Sequence, residues 1–125
     1  MDNLNKNRVL LVDDDVANIM QLIHILKADY KLNVAKDGAS AIQHAQEHLP
    51  DLILLDIVMP DMDGFEVLSE LQKSEDTAKI PVIFITALSN SGDGKKWLSL
   101  GAADYICKPF DDVIVRQKVA GACCG

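Results

Sequence analysis

The stretch VLLVDDDVANIM, residues 9–20, changes character abruptly in its middle. An apolar run of four residues ends at three consecutive aspartates, Asp13, Asp14 and Asp15. Carboxylates about 4 Å apart repel one another by on the order of 4 kcal/mol at a surface-like dielectric. An acidic cluster in this position therefore indicates a cation or a chemical role at the end of a strand.

The composition is typical of one globular domain. The chain has 125 residues, 49% of them hydrophobic, which is enough for one sizeable core. Its net charge of −7 argues against direct nucleic-acid binding, which needs a basic surface. Its three cysteines suggest neither a disulfide framework nor a zinc site. With no apolar signal segment and no membrane-length apolar run, the sequence predicts a cytoplasmic domain without membrane contact.

Short apolar runs alternate with helical periodicity along the chain. The predicted strands are residues 9–12, 32–35, 52–55, 82–85 and 105–107. Three of these runs are apolar throughout, which is typical of strands buried on both faces of a parallel sheet. The helical stripes between and after them are marked by Ile19, Leu22, Ile23 and Leu26; by Ile42, Ala45 and Leu49; by Phe65, Leu68 and Leu71; by Trp97 and Leu98; and by Val115, Val119 and Ala122. A β-α order repeated five times predicts an α/β fold with a five-stranded parallel sheet covered by helices on both sides.

Aspartates are also expected at the helix starts and turns. Asp15 is predicted to cap the first helix, and either Asp111 or Asp112 the last. Asp61 and Asp63 fit the turn that precedes the third helix.

Polar residues follow the predicted strands at the edge where a parallel sheet of this kind carries its functional site. Asp13 and Asp14 follow the first strand, Asp56 the third, Thr86 the fourth and Lys108 the fifth. The topology would bring these side chains together from distant parts of the chain. Carboxylate oxygens suit a hard cation such as Mg²⁺, which would relieve the repulsion between them.

The same set of groups suits phosphoryl transfer. Positioning and charge neutralisation supply most of what that reaction needs, and an aspartate carboxylate can itself be the nucleophile that forms an acyl phosphate. Asp56 is the better candidate for this role than Asp13 or Asp14. It can lie alone opposite Lys108 and leave the acidic pair to hold the metal.

Taken in order, these motifs resemble the receiver domain of bacterial two-component response regulators. The resemblance rests on the acidic pair, DIVMPDMDG at residues 56–64, TA at 86–87 and GAADYICKPF at 101–110, and it runs from residue 9 to about 119. It implies a flavodoxin-like, doubly wound (βα)5 fold with strand order 2-1-3-4-5. It also implies one receiver domain over residues 1–125, with a core at about 8–121 and no output domain in this chain.

The resemblance implies a phosphoacceptor and a metal site. Asp56 would take a phosphoryl group from a phosphohistidine on a sensor histidine kinase or a histidine phosphotransfer protein. Mg²⁺ or Mn²⁺ would be held by Asp14 directly, by Asp13 largely through water, by Asp56 and by the backbone carbonyl of Val58. The chain would then be a signalling receiver that catalyses only its own phosphorylation and dephosphorylation.

The resemblance also implies a switch around the phosphoryl group. Lys108 would pair with a phosphoryl oxygen, Thr86 would turn its hydroxyl toward it, and Tyr105 would swing inward behind Thr86. The small side chain of Ala87 would leave room for the group, and the Lys108-Pro109 peptide bond would be cis, a form that X-Pro bonds tolerate.

A signalling surface follows from the same resemblance. The output face would consist of the predicted helix around Trp97, the strand at Tyr105 and the last helix. It is a possible homodimer surface, and phosphorylation would shift an existing equilibrium between two states. Two apolar residues, Val58 and Leu88, depart from the usual polarity beside the phosphoryl group. Glycines in LSNSGDGKK predict a late or frayed start for the helix around Trp97.

Two alternatives stay open at this point. In a haloacid-dehalogenase-type phosphatase, Asp13 would be the nucleophile of a D-x-D-x-T/V motif. That motif is incomplete here because Ala17 stands at its last position, and it would leave Asp56 without a role. In the second alternative, the chain is a receiver-like docking module that is never phosphorylated. Substitution of Asp56 separates a receiver from a phosphatase that uses Asp13.

Overall fold

The computed structural model describes residues 7–86 and 98–124. Its strands are β1 (Arg8–Val12), β2 (Lys31–Ala35), β3 (Leu52–Asp56), β4 (Val82–Thr86) and β5 (Asp104–Cys107). Its helices are α1 (Val16–Leu26), α2 (Gly38–His48), α3 (Gly64–Gln72), the short α4 (Glu75–Ala78) and α5 (Asp112–Cys124). The predicted helix start near Trp97 falls outside the described residues, so this prediction stays untested.

The strands form one parallel sheet in the order β2-β1-β3-β4-β5, which confirms the predicted flavodoxin-like, doubly wound architecture. Val12 of β1 lies level with Leu55 of β3. One residue further along both strands, Asp13 comes level with Asp56. The register therefore places two carboxylates side by side at the carboxyl edge of the sheet.

The core has two halves, one on each face of the sheet. Successive side chains along a strand point to opposite faces, so each strand contributes to both halves. One half joins the sheet to α2 and α3. The other half joins it to α1 and α5. Strands β3 and β4 are buried along their whole length, as their continuous apolar sequences predict, whereas the edge strands β2 and β5 are partly exposed.

Aspartate caps fix where helices begin at the site edge. Asp15 accepts a hydrogen bond from the Ala17 backbone N–H at 2.9 Å, which confirms the predicted cap of α1. At the start of α5 the cap is Asp111, which accepts hydrogen bonds from the two backbone N–H groups that follow Asp112. Asp63 forms a capping box with Glu66 at the start of α3. These caps hold the loops that follow β1, β3 and β5.

The helix predictions were wrong for Leu49, and they missed the buried Ile25 and the short α4. Leu49 was placed in the apolar stripe of the second helix, but α2 ends at His48 and Leu49 is its C-cap, with φ 46° and 43% of its surface exposed. In α1, the predicted stripe residue Ile23 is partly buried and packs against the core, and Ile25, which the stripe left out, is buried as well. The short α4 was not predicted.

Across the described residues, every helix falls short of the length and apolar character that a membrane span requires.

Candidate functional site

The ends of four strands deliver the predicted polar residues to one edge of the sheet. Asp13 directly follows β1, and Asp56 is the last residue of β3. Thr86 is the last residue of β4, and Lys108 directly follows β5. Asp13, Asp56 and Thr86 are buried, whereas Asp14 is exposed at the rim. Strand length and register therefore determine the positions of the central residues of the site. The turn into α1 determines the position of Asp14.

The three carboxylates lie close enough to share one cation. One oxygen from each of Asp13, Asp14 and Asp56 lies within 4.8 Å of the others. Asp13 Oδ1 accepts a hydrogen bond from the Asp15 backbone N–H at 2.9 Å. Asp13 Oδ2 is buried and has no hydrogen-bond partner among the described residues. A buried carboxylate oxygen without such a partner is costly, and a bound cation would remove that cost.

Among the described residues, Lys108 provides the positive charge nearest to the two buried aspartates. Its Nζ lies 3.7 Å from Asp56 Oδ2 and 3.8 Å from Asp13 Oδ2. These distances allow attraction between the charges but exceed those of a good charge-assisted hydrogen bond. One ammonium group therefore faces two buried carboxylates without closing tightly on either.

The surroundings of Asp56 disfavour its charged form. Burial, followed by the negative charge of Asp13, raises the pKa of Asp56 to about 7 from an ordinary value of 3.8. The Lys108 ammonium and the Val58 backbone N–H, which donates to Asp56 Oδ1 at 3.3 Å, act in the opposite direction. Desolvation with a like charge nearby is a combination found at reactive carboxylates.

The structure describes the other predicted site residues except Ala87. Val58 lies in the loop directly after β3, with 75% of its surface exposed. The Lys108-Pro109 peptide bond, expected to be cis, is cis. Tyr105 is half-buried and packs against the part of the core that contains Phe84. Ala87, which was expected to leave room for a phosphoryl group, lies outside the described residues.

Sequence reasoning missed two residues beside Tyr105. Lys118 Nζ lies 4.8 Å from the centroid of the Tyr105 ring and donates a hydrogen bond to the Tyr105 backbone carbonyl at 2.6 Å. It also pairs with Asp104 at 3.2 Å. The available signal was weak: Lys118 flanks the buried position of Val119 in the last helical stripe, but the pattern gave no partner for it.

Comparisons with known proteins agree with this geometry. The family model described as "Response regulator receiver domain" matches residues 9–120. The response regulator PleD of Caulobacter vibrioides is 45% identical over 113 residues, which are 90% of this chain and 25% of PleD. The chain spans only part of the length of such curated relatives, from 25% of PleD to 52% of a probable transcriptional regulator of Porphyra purpurea.

Solved structures give the same result. A putative response regulator from Chloroflexus aurantiacus aligns with a TM-score of 0.90 and 26% identity, over 96% of this chain and 99% of that one. The receiver domain of the sensor histidine kinase PA1611 from Pseudomonas aeruginosa aligns with a TM-score of 0.87 and 27% identity, over 96% and 99% of the two chains. That structure has a magnesium ion coordinated in its active site cleft.

The matches do not favour the dehalogenase-type alternative. They cover nearly the whole sheet, and they include the segments that carry Asp13, Asp56 and Lys108. The chain belongs to the receiver domains of two-component response regulators.

Proposed function

We propose that Asp56 accepts a phosphoryl group from a phosphohistidine of a sensor histidine kinase or a histidine phosphotransfer protein. One observation carries the proposal: Asp56 is buried at the end of β3 with Lys108 Nζ at 3.7 Å and with oxygens of Asp13 and Asp14 within 4.8 Å. A carboxylate in that setting has an ammonium group on one side and, on the other, carboxylate oxygens that would bind a metal ion. This is the arrangement that a dianionic phosphoryl group requires.

The proposed transfer needs few changes in covalent structure. A carboxylate oxygen of Asp56 forms a bond to phosphorus while the phosphorus–nitrogen bond to the donor imidazole breaks. The electron pair stays on that nitrogen, which takes up a proton, and the product on Asp56 is an acyl phosphate. Lys108 would pair with a phosphoryl oxygen, and Thr86, at the end of the next strand, would direct its hydroxyl to another.

The donor set fits Mg²⁺ or Mn²⁺. It consists of oxygens, and it includes the buried Asp13 Oδ2 that lacks a hydrogen-bond partner among the described residues. Asp13, Asp14, Asp56 and the backbone carbonyl of Val58 would hold the ion. When bound, the ion neutralises charge on the phosphoryl oxygens, and it also favours the ionised form of Asp56.

The proposed output is a shift between two conformations. The phosphoryl group would favour the state in which Thr86 and Tyr105 have moved toward it, with Ala87 leaving the necessary room. The signal would pass through the output face, which includes β5 and α5 and could also form a homodimer. The net charge of −7 argues against direct contact of this domain with nucleic acid, which needs a basic surface.

Intact-mass spectrometry after incubation with acetyl phosphate and Mg²⁺ tests the acceptor. We expect one added phosphoryl group on the wild type, none on Asp56→Ala, and none on the wild type when a chelator replaces Mg²⁺. Asp61→Asn is the matched control, since Asp61 is an exposed aspartate in the same loop with φ 69°, a conformation that asparagine adopts well. It should be phosphorylated as the wild type is.

Two outcomes contradict the proposal. An adduct that survives in Asp56→Ala would show that another carboxylate is the acceptor, with Asp13 the first to test. If acetyl phosphate and a panel of phosphorylated histidine donors all fail to modify the wild type, the chain is a docking module of receiver form.

A further inference from the structure

At Tyr105, side chains form hydrogen bonds with the backbone groups on the outer edge of the sheet. Within the part of the chain that the structure describes, strand β5 pairs with β4 on one side only, so its other edge carries backbone groups without strand partners. The Tyr105 backbone N–H donates to Asp104 Oδ1 at 2.8 Å, and the Tyr105 carbonyl accepts a hydrogen bond from Lys118 Nζ at 2.6 Å. Both backbone polar groups of this one residue are therefore bonded to charged side chains.

Lys118 makes two more contacts at the same place. Its Nζ donates to Asp104 Oδ1 at 3.2 Å and lies 4.8 Å from the centroid of the Tyr105 ring. An ammonium group within about 6 Å of an aromatic ring is attracted to the ring face. The side chains of Lys118 and Asp104 are 29% and 38% exposed, so solvent screens this group only in part. One ammonium thus binds the backbone, the preceding carboxylate and the ring of Tyr105.

These contacts link the two faces of the sheet. Helix α5 packs through Val119 on the face that contains Ile106. The Tyr105 ring packs on the opposite face, against the core half that contains Phe84. Lys118 therefore extends from α5 past the edge of β5 to reach a ring on the other face. A movement of that ring changes its contact with a helix that belongs to the output face.

We propose that Lys118 is a positioning residue that holds the Tyr105 ring in its resting conformation. The inward movement of Tyr105 would then break the contact between the ring and the ammonium, while the bond from Lys118 to the Tyr105 carbonyl could persist. This inference rests on the role of Tyr105 in the proposed function. The coupling is reciprocal. If the phosphoryl-bound state weakens the contact between Lys118 and the Tyr105 ring, then removal of the ammonium should stabilise that state by the same free energy.

Fluorine NMR of the full chain labelled with fluorotyrosine tests the inference in the resting protein. The chain has two tyrosines, and Tyr30→Phe assigns the signals of Tyr30 and Tyr105. The variants are Lys118→Met, which keeps side-chain length without the charge, and Lys118→Arg, which keeps a cation. Lys27→Met, at an exposed lysine that follows α1, controls for the loss of one positive charge. Spectra are recorded with chelator and again with beryllium fluoride and Mg²⁺.

We expect Lys118→Met to move the resting Tyr105 signal toward its position in beryllium fluoride and to leave the Tyr30 signal in place. The affinity for beryllium fluoride should rise about twofold to fivefold, the range expected for loss of one partly exposed cation–π contact. Lys118→Arg and Lys27→Met should give spectra and affinities near those of the wild type.

The inference is overturned if Lys118→Met leaves the resting Tyr105 signal unchanged. It is also overturned if Lys118→Arg moves that signal as far as Lys118→Met does, because then the charge over the ring is not what holds it. Failure of the proposed function looks different. In that case beryllium fluoride and Mg²⁺ leave the wild-type spectrum unchanged, and the Lys118 contact is still judged from the resting spectra alone.

Discussion

Two lysines near the last strand differ in how they contact aspartates: Lys108 directly follows β5, and Lys118 lies in the middle of α5. Lys108 lies 3.7 and 3.8 Å from Asp56 and Asp13, whose side chains are only 6% and 1% exposed. Lys118 lies 3.2 Å from Asp104, whose side chain is 38% exposed, and it donates a 2.6 Å hydrogen bond to a backbone carbonyl as well. The buried carboxylates thus have the looser contacts, and the partly exposed carboxylate has the tighter one.

Stability alone would favour the reverse arrangement. Buried charges are expensive unless they are closely paired and hydrogen-bonded, whereas an exposed ion pair contributes little. The site around Lys108 therefore carries a free-energy cost that a cation and a phosphoryl group could relieve. The cluster around Lys118 carries no such cost, which suits a structural contact that holds one residue in place.

The largest expected difference concerns stability in the absence of metal. We expect Asp56→Asn to be more stable than the wild type by up to about 4 kcal/mol at pH 8 with chelator present, since three pKa units correspond to roughly that free energy. The sign follows from the pKa of Asp56, which folding raises from 3.8 to about 7. The folded state binds the extra proton between these values, so wild-type stability falls as pH rises through this window. The stability of the asparagine variant does not fall in this way, because asparagine has no carboxyl proton to lose.

Urea unfolding between pH 4 and pH 8 measures this effect. The gap between Asp56→Asn and the wild type should be small near pH 4 and should widen until about pH 7. Asp104→Asn is the control at the exposed cluster and should show no comparable widening. A gap that is constant with pH would contradict the raised pKa of Asp56.

The second prediction compares the two lysines in phosphoryl transfer. Lys108→Met should slow phosphorylation by acetyl phosphate on the order of a hundredfold, because it removes the cation that would stabilise charge on the transferring group. Lys118→Met should not slow it and should produce a rise of at most about fivefold. Time courses of the intact mass with Mg²⁺ present give both rates. Equal losses in the two variants would remove the distinction between a site lysine and a positioning lysine.

The third prediction concerns metal. A saturating amount of Mg²⁺ should raise the free energy of unfolding of the wild type at pH 8 by about 1–2 kcal/mol, since a ligand that binds only the folded state stabilises it by mass action. Asp13→Asn should lose most of this gain, while Asp104→Asn should keep it. Urea titrations with Mg²⁺ and with chelator supply the comparison. A full gain in Asp13→Asn would place the metal elsewhere.

The sequence predicted the Lys108 site better than the Lys118 cluster, and the reason is physical. Asp56, Thr86 and Lys108 each stand at the end of an apolar run, and a parallel sheet brings such ends together whatever the details of packing. The run at residues 52–55 needed no partner to be identified as a buried strand. The positions of these three residues in the fold therefore followed from the order of strands and helices alone.

What the sequence could not supply depends on three-dimensional neighbours. The raised pKa of Asp56 comes from burial and from Asp13, both of which require the register of β1 and β3. The contact of Lys118 with Tyr105 requires a side chain that passes around the sheet edge, which no periodicity reports. Leu49 was assigned to the apolar stripe of the second helix because the pattern continued, but the helix ended one residue earlier, at His48.

The smallest expected effect is on the stability contributed by Lys118. Lys118→Met should lower the free energy of unfolding by about 1 kcal/mol, since it removes one partly exposed ion pair, one ring contact and one hydrogen bond to an edge carbonyl. Lys118→Arg should recover much of this loss, because a guanidinium group can donate to the same carbonyl and stack on the same ring. Urea unfolding at pH 7 should give the same difference with Mg²⁺ and with chelator. A loss that appears only with Mg²⁺ would mean that Lys118 acts through the acidic site, and the two lysines would then belong to one site.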